Sequence, residues 1–416
     1  MAVLAQYDLI VIGGGSIGLS TAYHAAKRNL KTLVLEQYGY FNDNGSSAGA
    51  SRQFRLQYAV QYMAELVVAA QPFWADLQTQ TNVTLIGADG SLWFGDPDID
   101  SREGGIVPAE KVMDALGIAY TKLDAQQIED TYLFRNLPSN YVGFFQAAGG
   151  IINLKAAEQA LYFAADNSGL VDFHEYEPVT GIASTLAGGI TVSTRLGDYA
   201  TGKLAITAGA YTNLVTGHLG LAAPIYIWEM ASTYFKVTDP QVQYPTWFYY
   251  GKQNDFYGFP TVDWSYPGYI RAAPDFPDEI IALPSQRRGA PDPANLALTA
   301  QFVAEHMTGV GAKPEFASTC LAPLAQNADQ ELLLDYVPSS IPNNMQIVCY
   351  TAGWAGKFIP ILGDMICQML TSNITSFNYG SYSIPLSNFA MGWLPMSIGS
   401  TGRVDLSAAP RRRKIR

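Results

Sequence analysis

The stretch that decides the fold is residues 7–36, Tyr7-Asp-Leu-Ile-Val-Ile-Gly-Gly-Gly-Ser-Ile-Gly-Leu-Ser-Thr-Ala-Tyr-His-Ala-Ala-Lys-Arg-Asn-Leu-Lys-Thr-Leu-Val-Leu-Glu36. Residues 9–12 form a continuous apolar run, which is typical of a buried parallel strand. Gly13, Gly15 and Gly18 follow in the pattern G-x-G-x-x-G, after which apolar residues recur at helical spacing. A second apolar run at 33–35 ends at Glu36. The pattern predicts a strand, a helix and a second parallel strand.

This βαβ unit has the features of a dinucleotide-binding fold. Its glycines let the backbone approach a pyrophosphate at the N-terminus of the helix. Glu36 lies 21 residues after Gly15, where an acidic side chain can accept hydrogen bonds from a ribose. The alternative is an ordinary glycine-rich turn. The motif alone does not separate FAD from NAD, although its position at the start of the chain is frequent in flavoproteins.

Composition limits the classes of function. A chain of 416 residues can bury a large core and is expected to form two domains. Its net charge of −11 argues against a nucleic-acid partner. The basic segment 411–416 is expected to be a solvated terminus rather than a targeting or binding element. Three cysteines form no disulfide framework, and the histidines have no metal-ligand spacing, so we expect a reducing compartment and no metal site.

No apolar run is as long as the roughly 18 residues that a membrane span requires. The first strand begins close to Met1, which leaves no room for a signal peptide. From these two observations we expect a cytoplasmic protein that does not bind membranes.

Five further segments indicate how the chain is organised. Residues 41–55 are polar and glycine-rich and are predicted to be a loop. Residues 59–79 are predicted to be a helix, because their apolar residues share one face. Residues 196–213 and 346–353 each read as a strand that ends in a turn of small residues. Residues 223–319 are rich in aromatic residues and proline turns, and we interpret them as the antiparallel sheet of a second domain.

Several segments together resemble the sarcosine oxidase family of amine-oxidising flavoproteins, and within it the branch that oxidises piperideine-2-carboxylate to picolinate. The resemblance covers nearly the whole chain. Its motifs are Gly13-Gly-Gly15, Asn44-Gly45 through Arg52, Arg55-Leu-Gln-Tyr58, Gly90-Ser-Leu-Trp-Phe-Gly-Asp96, Phe256-Tyr-Gly-Phe259, Arg271-Ala-Ala-Pro-Asp275, Ser318-Thr-Cys-Leu321 and Ala352-Gly-Trp-Ala-Gly-Lys-Phe358.

The resemblance implies that FAD is the cofactor and that Cys320 holds it through a thioether to the 8α-methyl group. Such a reaction is chemically reasonable, because a thiolate is a good nucleophile. The alternative for Cys320 is a buried structural cysteine, which is how we interpret Cys349 and Cys367. The expected cofactor-binding residues are Gly13, Gly15, Ser16, Ile17, Gly18, Glu36, Ser51, Arg52, Cys320, Gly353 and Lys357.

The substrate carboxylate is expected to bind two cations. Arg52 and Arg55 lie three residues apart and are candidate anion binders, although a surface ion pair is the alternative. The resemblance assigns Arg55 to the substrate carboxylate, Arg52 to the flavin region and Lys357 to both the carboxylate and the flavin edge. Trp354 corresponds to an aromatic residue that covers the flavin in the picolinate-forming branch, with simple core packing as the alternative.

The resemblance also places Tyr257, Asp275 and Glu103 in the pocket. Buried carboxyl groups of this kind can hold a proton and exchange it with a ring nitrogen. Arg271 corresponds to the lysine that activates oxygen in sarcosine oxidase, and the change from lysine to arginine puts that role in doubt. The expected catalytic residues are Arg55, Glu103, Tyr257, Arg271, Asp275, Trp354 and Lys357.

The predicted fold class is α/β, or α+β overall, with a Rossmann-type FAD-binding domain and a discontinuous antiparallel-sheet substrate domain. We assign residues 1–88, 146–222 and 320–416 to the first and residues 89–145 and 223–319 to the second. The expected reaction is oxidation of a cyclic imino or amino acid with reduction of dioxygen to hydrogen peroxide, by a monomer. The alternatives are a sarcosine, N-methyl amino acid or L-pipecolate oxidase, and a flavoprotein without catalytic activity.

Overall fold

The computed structural model describes residues 3–186, 189–260, 266–372 and 374–396. The basic segment 411–416 therefore lies outside the described residues. Eight α-helices occur in these ranges: α1 Ser16–Ala26, α2 Gln61–Thr81, α3 Ile106–Leu116, α4 Ala125–Tyr132, α5 Leu154–Asp166, α6 Thr212–Thr216, α7 Pro293–His306 and α8 Ile359–Thr371.

The strands of the first half of the chain are β1 Val3–Ile12, β2 Thr32–Leu35, β3 Ser51–Phe54, β4 Ile86–Gly87, β5 Ser91–Gly95, β6 Asp100–Ser101, β7 Gly104–Gly105, β8 Thr121–Asp124, β9 Val142–Gln146, β10 Gly150–Asn153, β11 Val171–His174, β12 Val179–Thr185, β13 Gly189–Thr194 and β14 Asp198–Ile206. Those of the second half are β15 Leu221–Ala222, β16 Ile225–Val237, β17 Thr246–Tyr250, β18 Phe256–Gly258, β19 Tyr269–Pro274, β20 Glu279–Ile281, β21 Val310–Ala325, β22 Leu333–Tyr336, β23 Ile347–Thr351, β24 Ser376–Tyr379, β25 Tyr382–Pro385 and β26 Leu394–Pro395.

The N-terminal unit forms the centre of an eight-stranded sheet. Its order is β11-β2-β1-β14-β13-β12, with β23 beside β14 and β22 beside β23. Strands β11, β2, β1, β14 and β23 run parallel to one another. Residues 9–12 are buried on both faces of this sheet, as the continuous apolar run predicts. The predicted βαβ unit, and the strands predicted within 196–213 and 346–353, are confirmed.

A nine-stranded sheet forms the second layer. Its order is β20-β16-β19-β18-β17-β5-β9-β8, and β21 pairs with β16. The pairings are antiparallel except between β17 and β5, which run parallel. The predicted fold class, a parallel nucleotide-binding sheet combined with a mainly antiparallel sheet, is confirmed. The exact domain boundaries stay a prediction.

Two local predictions differ from the structure. Residues 41–55 are not loop throughout, because Ser51–Phe54 forms strand β3, which pairs with β10. This strand was not predicted because its side chains are polar and its hydrogen-bonding partner lies about 100 residues away in sequence. Residues 223–319 are not all sheet, because they contain helix α7. Asp292 caps that helix by accepting a hydrogen bond from the Ala294 amide, and Pro293 occupies its first turn.

The predicted helix at 59–79 is confirmed as α2, Gln61–Thr81, which lies two residues further along the chain. Cys349 in β23 and Cys367 in α8 are fully buried among apolar side chains, as predicted. In the described ranges, no helix is long and apolar enough to span a bilayer.

Candidate active site

One cavity of about 480 Å³ lies between the two large sheets. It opens at the carboxyl ends of the parallel strands, where α/β sheets commonly bind ligands. Most of the residues predicted for the site line it together: Gly13, Gly15, Ser16, Ile17, Glu36, Arg52, Arg55, Glu103, Tyr257, Arg271, Asp275, Cys320, Gly353, Trp354 and Lys357. Gly18 and Ser51 are not among the lining residues, and both support it from behind, as described below.

The glycine turn between β1 and α1 leaves no room for side chains. Gly13 has φ +104°, and a Cβ atom there would lie 2.7 Å from the Thr207 carbonyl oxygen. A Cβ atom at Gly18 would lie 1.8 Å from the Gly13 carbonyl oxygen. Gly18 therefore allows the helix to pack closely on the strand, and the residues of the helix N-terminus from Gly14 to Ile17 line the cavity.

Glu36 ends strand β2 beside this turn. Its carboxylate accepts hydrogen bonds from the Gly14 amide at 2.7 Å and from the Tyr38 amide at 2.8 Å. Burial raises the pKa of Glu36, although these two amides oppose the shift. The side chain is thus fixed by the backbone, and its remaining lone pairs can accept hydrogen bonds from a ribose.

Behind the helix N-terminus lies a buried carboxyl group that sequence reasoning missed. Glu158 on α5 accepts a hydrogen bond from the Ser16 hydroxyl at 2.9 Å, and Ser16 also contacts the Ser47 hydroxyl at 2.7 Å. Lys155 lies 3.6 Å from the other Glu158 oxygen. The spacing of Lys155 and Glu158 on one helix face was the only sequence signal, and such pairs are common on ordinary helices.

Two arginines converge on the Ser51 carbonyl group. Arg52 donates to the Ser51 oxygen at 2.7 Å and to the Ala48 oxygen at 2.7 Å, and Arg271 donates to the Ser51 oxygen at 2.9 Å. The Arg271 guanidinium lies 3.3 Å from the centre of the Phe259 ring, and its Nε has no hydrogen-bond partner among the described residues. The two fixed cations make this wall of the cavity electropositive.

Arg55 is buried, with only 2% of its surface exposed. Its guanidinium donates to the Gln57 carbonyl oxygen and forms an ion pair with Glu103. It also lies 4.3 Å from the centre of the Tyr58 ring and 4.7 Å from that of Trp93. Packing on two aromatic faces fixes the plane of the guanidinium, so a carboxylate in the cavity meets a pre-oriented donor.

Trp354 and Lys357 follow strand β23 through a sharp turn. Ala352 has φ +69° and Gly353 has φ +91°, and a Cβ atom at Gly353 would lie 2.0 Å from the Glu331 carbonyl oxygen. This turn directs Trp354 and Lys357 into the cavity, as predicted from the end of the strand. The indole nitrogen of Trp354 is buried, and no residue in the part of the chain that the structure describes forms a hydrogen bond with it.

The Lys357 ammonium group lies 5.5 Å from the centre of the Tyr58 ring and 3.4 Å from the Trp354 carbonyl oxygen. Burial is the largest cause that moves the pKa of Lys357 well below its usual value, and the nearby charge of Arg55 adds to the shift. The charge of Glu331 acts to raise the pKa of Lys357, and burial raises the pKa of Glu331 itself. Sequence reasoning missed Glu331, which lies in a loop and belongs to no motif.

Asp275 and Tyr257 lie on the wall formed by β18 and β19. The Asp275 side chain is enclosed by protein, and its remaining exposed surface faces the cavity. Burial raises the pKa of Asp275 well above its usual value, and the charge of Asp255 adds to the shift, whereas Arg55 opposes it. Burial also raises the pKa of Tyr257, which keeps its hydroxyl protonated.

Cys320 lies on β21, opposite Met230 of β16, and is half-buried at the cavity wall. In the described ranges, no group of three or more His, Cys, Asp or Glu side chains is arranged to hold a metal ion. The cavity extends from the glycine turn and Glu36 to Cys320 and Lys357. Its backbone amides, the Glu36 carboxylate and its fixed cations suit the pyrophosphate, ribose and electron-poor ring of FAD.

Comparisons with known proteins agree with this chemistry. Residues 8–369 match the family model described as FAD dependent oxidoreductase (DAO). A putative bifunctional amine oxidase of Dictyostelium discoideum is 32% identical over 96% of this chain, which spans only 39% of that relative's length. Monomeric sarcosine oxidase from a Bacillus species is 23% identical over 91% of this chain and 96% of its own length.

Among solved structures, the open form of NikD, an unusual amino acid oxidase essential for nikkomycin biosynthesis, matches with a TM-score of 0.85 and 32% identity. The match covers 95% of this chain and 98% of NikD. The resemblance to the sarcosine oxidase family that the motifs indicate is thereby confirmed. Because the DAO model matches most of the chain, this protein belongs to the family of FAD-dependent oxidoreductases.

Proposed function

We propose that this protein is an oxidase of a cyclic imino or amino acid, of the piperideine-2-carboxylate type, and that it forms picolinate. When bound, FAD accepts a hydride from a carbon next to nitrogen and passes the electrons to dioxygen, which yields hydrogen peroxide. The observation that carries this proposal is the meeting of two buried cations, two carboxyl groups and an indole in one cavity.

Arg55 and Lys357 bind the substrate carboxylate in this proposal. Arg55 is held rigidly between two aromatic rings, and Lys357 reaches the same region from the end of β23. A bound carboxylate would replace part of the ion pair between Arg55 and Glu103 and would favour the protonated form of Lys357. Two such contacts orient the neighbouring carbon toward the flavin.

Trp354, Asp275 and Glu103 accommodate the ring. The indole offers a flat apolar surface that suits a planar, partly unsaturated six-membered ring and excludes water. Burial raises the pKa of Asp275, so its carboxylate form is a stronger base than that of an exposed aspartate and can accept the proton that a ring nitrogen loses during oxidation. Glu103 is the second carboxyl group within reach, once a substrate carboxylate has taken its place on Arg55.

We also propose that Cys320 binds FAD covalently. The S–H bond of Cys320 and one C–H bond of the 8α-methyl group break, and a C–S bond forms between them. The two protons and two electrons released in this step would pass to dioxygen and yield hydrogen peroxide. In support, Cys320 is a cavity residue, whereas Cys349 and Cys367 are fully buried elsewhere.

A substrate panel tests the proposed reaction. Piperideine-2-carboxylate, pipecolate, proline and sarcosine are supplied in parallel, and hydrogen peroxide and the ultraviolet absorbance of a pyridine product are recorded. We expect two peroxides for each piperideine-2-carboxylate, because conversion to picolinate removes four hydrogens. An acyclic amine leaves polar groups unpaired at about 1–3 kcal/mol each, so discrimination against sarcosine should be roughly tenfold or more in kcat/KM.

The same panel decides between the alternatives. Fastest turnover of sarcosine, with one peroxide and no aromatic product, would contradict the proposed substrate. Relatives from a Bacillus species and from Homo sapiens are sarcosine oxidases by name, which makes this the principal alternative. Absence of peroxide with every substrate would indicate a flavoprotein without oxidase activity. Acid precipitation tests the tether separately, because covalently bound flavin stays yellow in the pellet and a Cys320 peptide carries its mass.

A further inference from the structure

The two neighbours of Cys320 in the sequence are each tied to the glycine-rich loop that borders the cavity. Thr319 is connected to this loop through Arg287, and Leu321 is connected to it through Ser46. Cys320 itself lies between these two connections, on a strand that faces the loop. None of the motifs in the sequence points to Arg287, which lies in a turn between β20 and α7.

Arg287 makes three hydrogen bonds. Its Nε donates to the Thr319 hydroxyl at 3.0 Å, one terminal nitrogen donates to the Thr319 carbonyl oxygen, and the other donates to the Asp43 carbonyl oxygen. The guanidinium therefore joins strand β21 to the loop with its fixed fork of donors. A lysine at this position could not reproduce that geometry, because an ammonium group has no planar fork.

A buried carboxylate fixes the other side of Thr319. Glu229 on β16 is fully buried and accepts a hydrogen bond from the Thr319 hydroxyl at 2.8 Å. The Gly289 and Arg288 amides donate to the same carboxylate at 2.9 Å and 3.0 Å, so Glu229 also holds the turn that carries Arg287. The Thr319 hydroxyl thus accepts a hydrogen bond from Arg287 and donates one to Glu229, and these two bonds fix its rotamer.

Beyond Cys320, the Ser46 hydroxyl donates to the Leu321 carbonyl oxygen at 2.6 Å. Ser46 and Asp43 belong to the same loop, which also supplies the Ser47 contact to the helix N-terminus. The same segment of backbone therefore holds both Cys320 and the predicted pyrophosphate site in position. A shift of β21 relative to this loop would change the distance from the Cys320 sulfur to a bound cofactor.

We propose that Arg287, with Ser46, is a positioning residue for covalent attachment of FAD at Cys320. The inference rests on the tether proposed above and goes beyond it, because it concerns the rate at which the C–S bond forms. Formation of that bond requires the sulfur and the 8α-carbon to be held at reacting distance, and small misplacements lower such rates steeply. Arg287 touches neither group, so its effect is exerted through Thr319.

The test measures covalent attachment and non-covalent binding separately. The full chain is produced under riboflavin limitation and mixed with FAD in air, and acid-stable flavin is followed over time. The dissociation constant for the initial, non-covalent complex is obtained from quenching of flavin fluorescence. For Arg287→Ala we expect attachment to be at least tenfold slower and the initial affinity to change by less than threefold.

Two further variants separate position from charge. Arg287→Lys keeps the positive charge and loses the fork, so we expect its attachment to be slowed nearly as much as that of Arg287→Ala. Arg288→Ala is the matched control, because Arg288 is the next residue and its side chain forms ion pairs with Glu279 and Asp292 at the surface. We expect Arg288→Ala to attach FAD at the wild-type rate.

Each remaining outcome overturns the inference in a distinguishable way. Attachment at the wild-type rate in Arg287→Ala would show that Arg287 does not position Cys320. Equal slowing in Arg288→Ala would indicate an effect of charge alone, and loss of initial FAD binding would indicate a structural role. A wild-type protein without acid-stable flavin would refute the tether and this inference together, whereas the oxidase activity would still be decided by the substrate panel.

Discussion

Replacement of Arg55 by lysine tests the proposed carboxylate site most directly. The substitution keeps a positive charge in a buried position and removes the planar fork of donors. In the structure, one arm of that fork contacts the Gln57 carbonyl oxygen and another pairs with Glu103. A lysine ammonium cannot hold the Gln57 oxygen and also present a second donor in the plane set by Tyr58 and Trp93.

The expected loss follows from one missing charge-assisted hydrogen bond. Such a bond contributes about 1.5–3 kcal/mol, which corresponds to a roughly 10- to 150-fold change in an equilibrium or rate constant. Because the carboxylate contact also orients the reacting carbon, the loss should divide between binding and the rate of reduction. We therefore expect Arg55→Lys to lower kcat/KM for carboxylate substrates by a factor in this range.

Anaerobic stopped-flow reduction of the flavin gives the substrate dissociation constant and the reduction rate separately. The matched control is Arg102→Lys, because Arg102 precedes Glu103 and its guanidinium donates to the Ala325 carbonyl oxygen rather than lining the cavity. Thermal unfolding of both variants checks the fold. If the Arg55→Lys variant oxidises a carboxylate substrate and its decarboxylated analogue at rates in the wild-type ratio, Arg55 does not bind the carboxylate.

Three further outcomes are expected. Because burial lowers the pKa of Lys357, the affinity for a carboxylate inhibitor such as picolinate should weaken as pH rises through that pKa. A spectral titration of the Lys357→Met variant should show weaker affinity that does not change with pH. Because burial raises the pKa of Asp275, the rate of flavin reduction should rise with pH as Asp275 ionises. The Asp275→Asn variant should lose this rise with pH and reduce the flavin roughly tenfold more slowly. An unchanged pH profile in that variant would assign the proton to another group. Gly18→Ala should abolish FAD binding and lower the melting temperature, since its Cβ would overlap the Gly13 oxygen, whereas Gly202→Ala, with its nearest contact at 3.9 Å, should bind FAD normally.

The fold was predictable where local pattern and long-range packing agree. The apolar run at 9–12, the glycine turn and Glu36 specify a βαβ unit within 30 residues, and the structure has it. Strand β3 escaped prediction because its residues are polar and its pairing partner β10 is distant in sequence. Helix α7 was not predicted because the sequence on both sides of it has the pattern of strands, although Asp292 and Pro293 form a recognisable helix start.

The site was predictable only in part, for a similar reason. Motif residues such as Arg55, Cys320 and Lys357 carry a family resemblance in the sequence, and the structure brings them to one cavity. Glu331 and Arg287 belong to no motif, and their significance arises from neighbours that are remote in the chain. A single sequence does not encode such contacts in any local spacing, so they emerge only when the strands are assembled.

Burial acts on the pKa values of Lys357 and Asp275 in opposite senses, and this predicts that an amino acid suits the proposed site better than a simple amine. It lowers the pKa of Lys357 and raises that of Asp275, so each group tends toward its neutral form when the cavity holds no charged ligand. A carboxylate beside Lys357 favours the ammonium form, and a cationic ring nitrogen beside Asp275 favours the carboxylate form. A ligand that carries both groups restores both charges at once, and each restored charge strengthens the attraction to the ligand. A simple amine has no carboxylate and cannot restore the charge on Lys357, and an acyclic amino acid too short to reach Asp275 restores only the charge on Lys357. The electrostatic selectivity of the proposed site thus depends on the distance between carboxylate and nitrogen in the ligand, which a six-membered cyclic imino acid fixes.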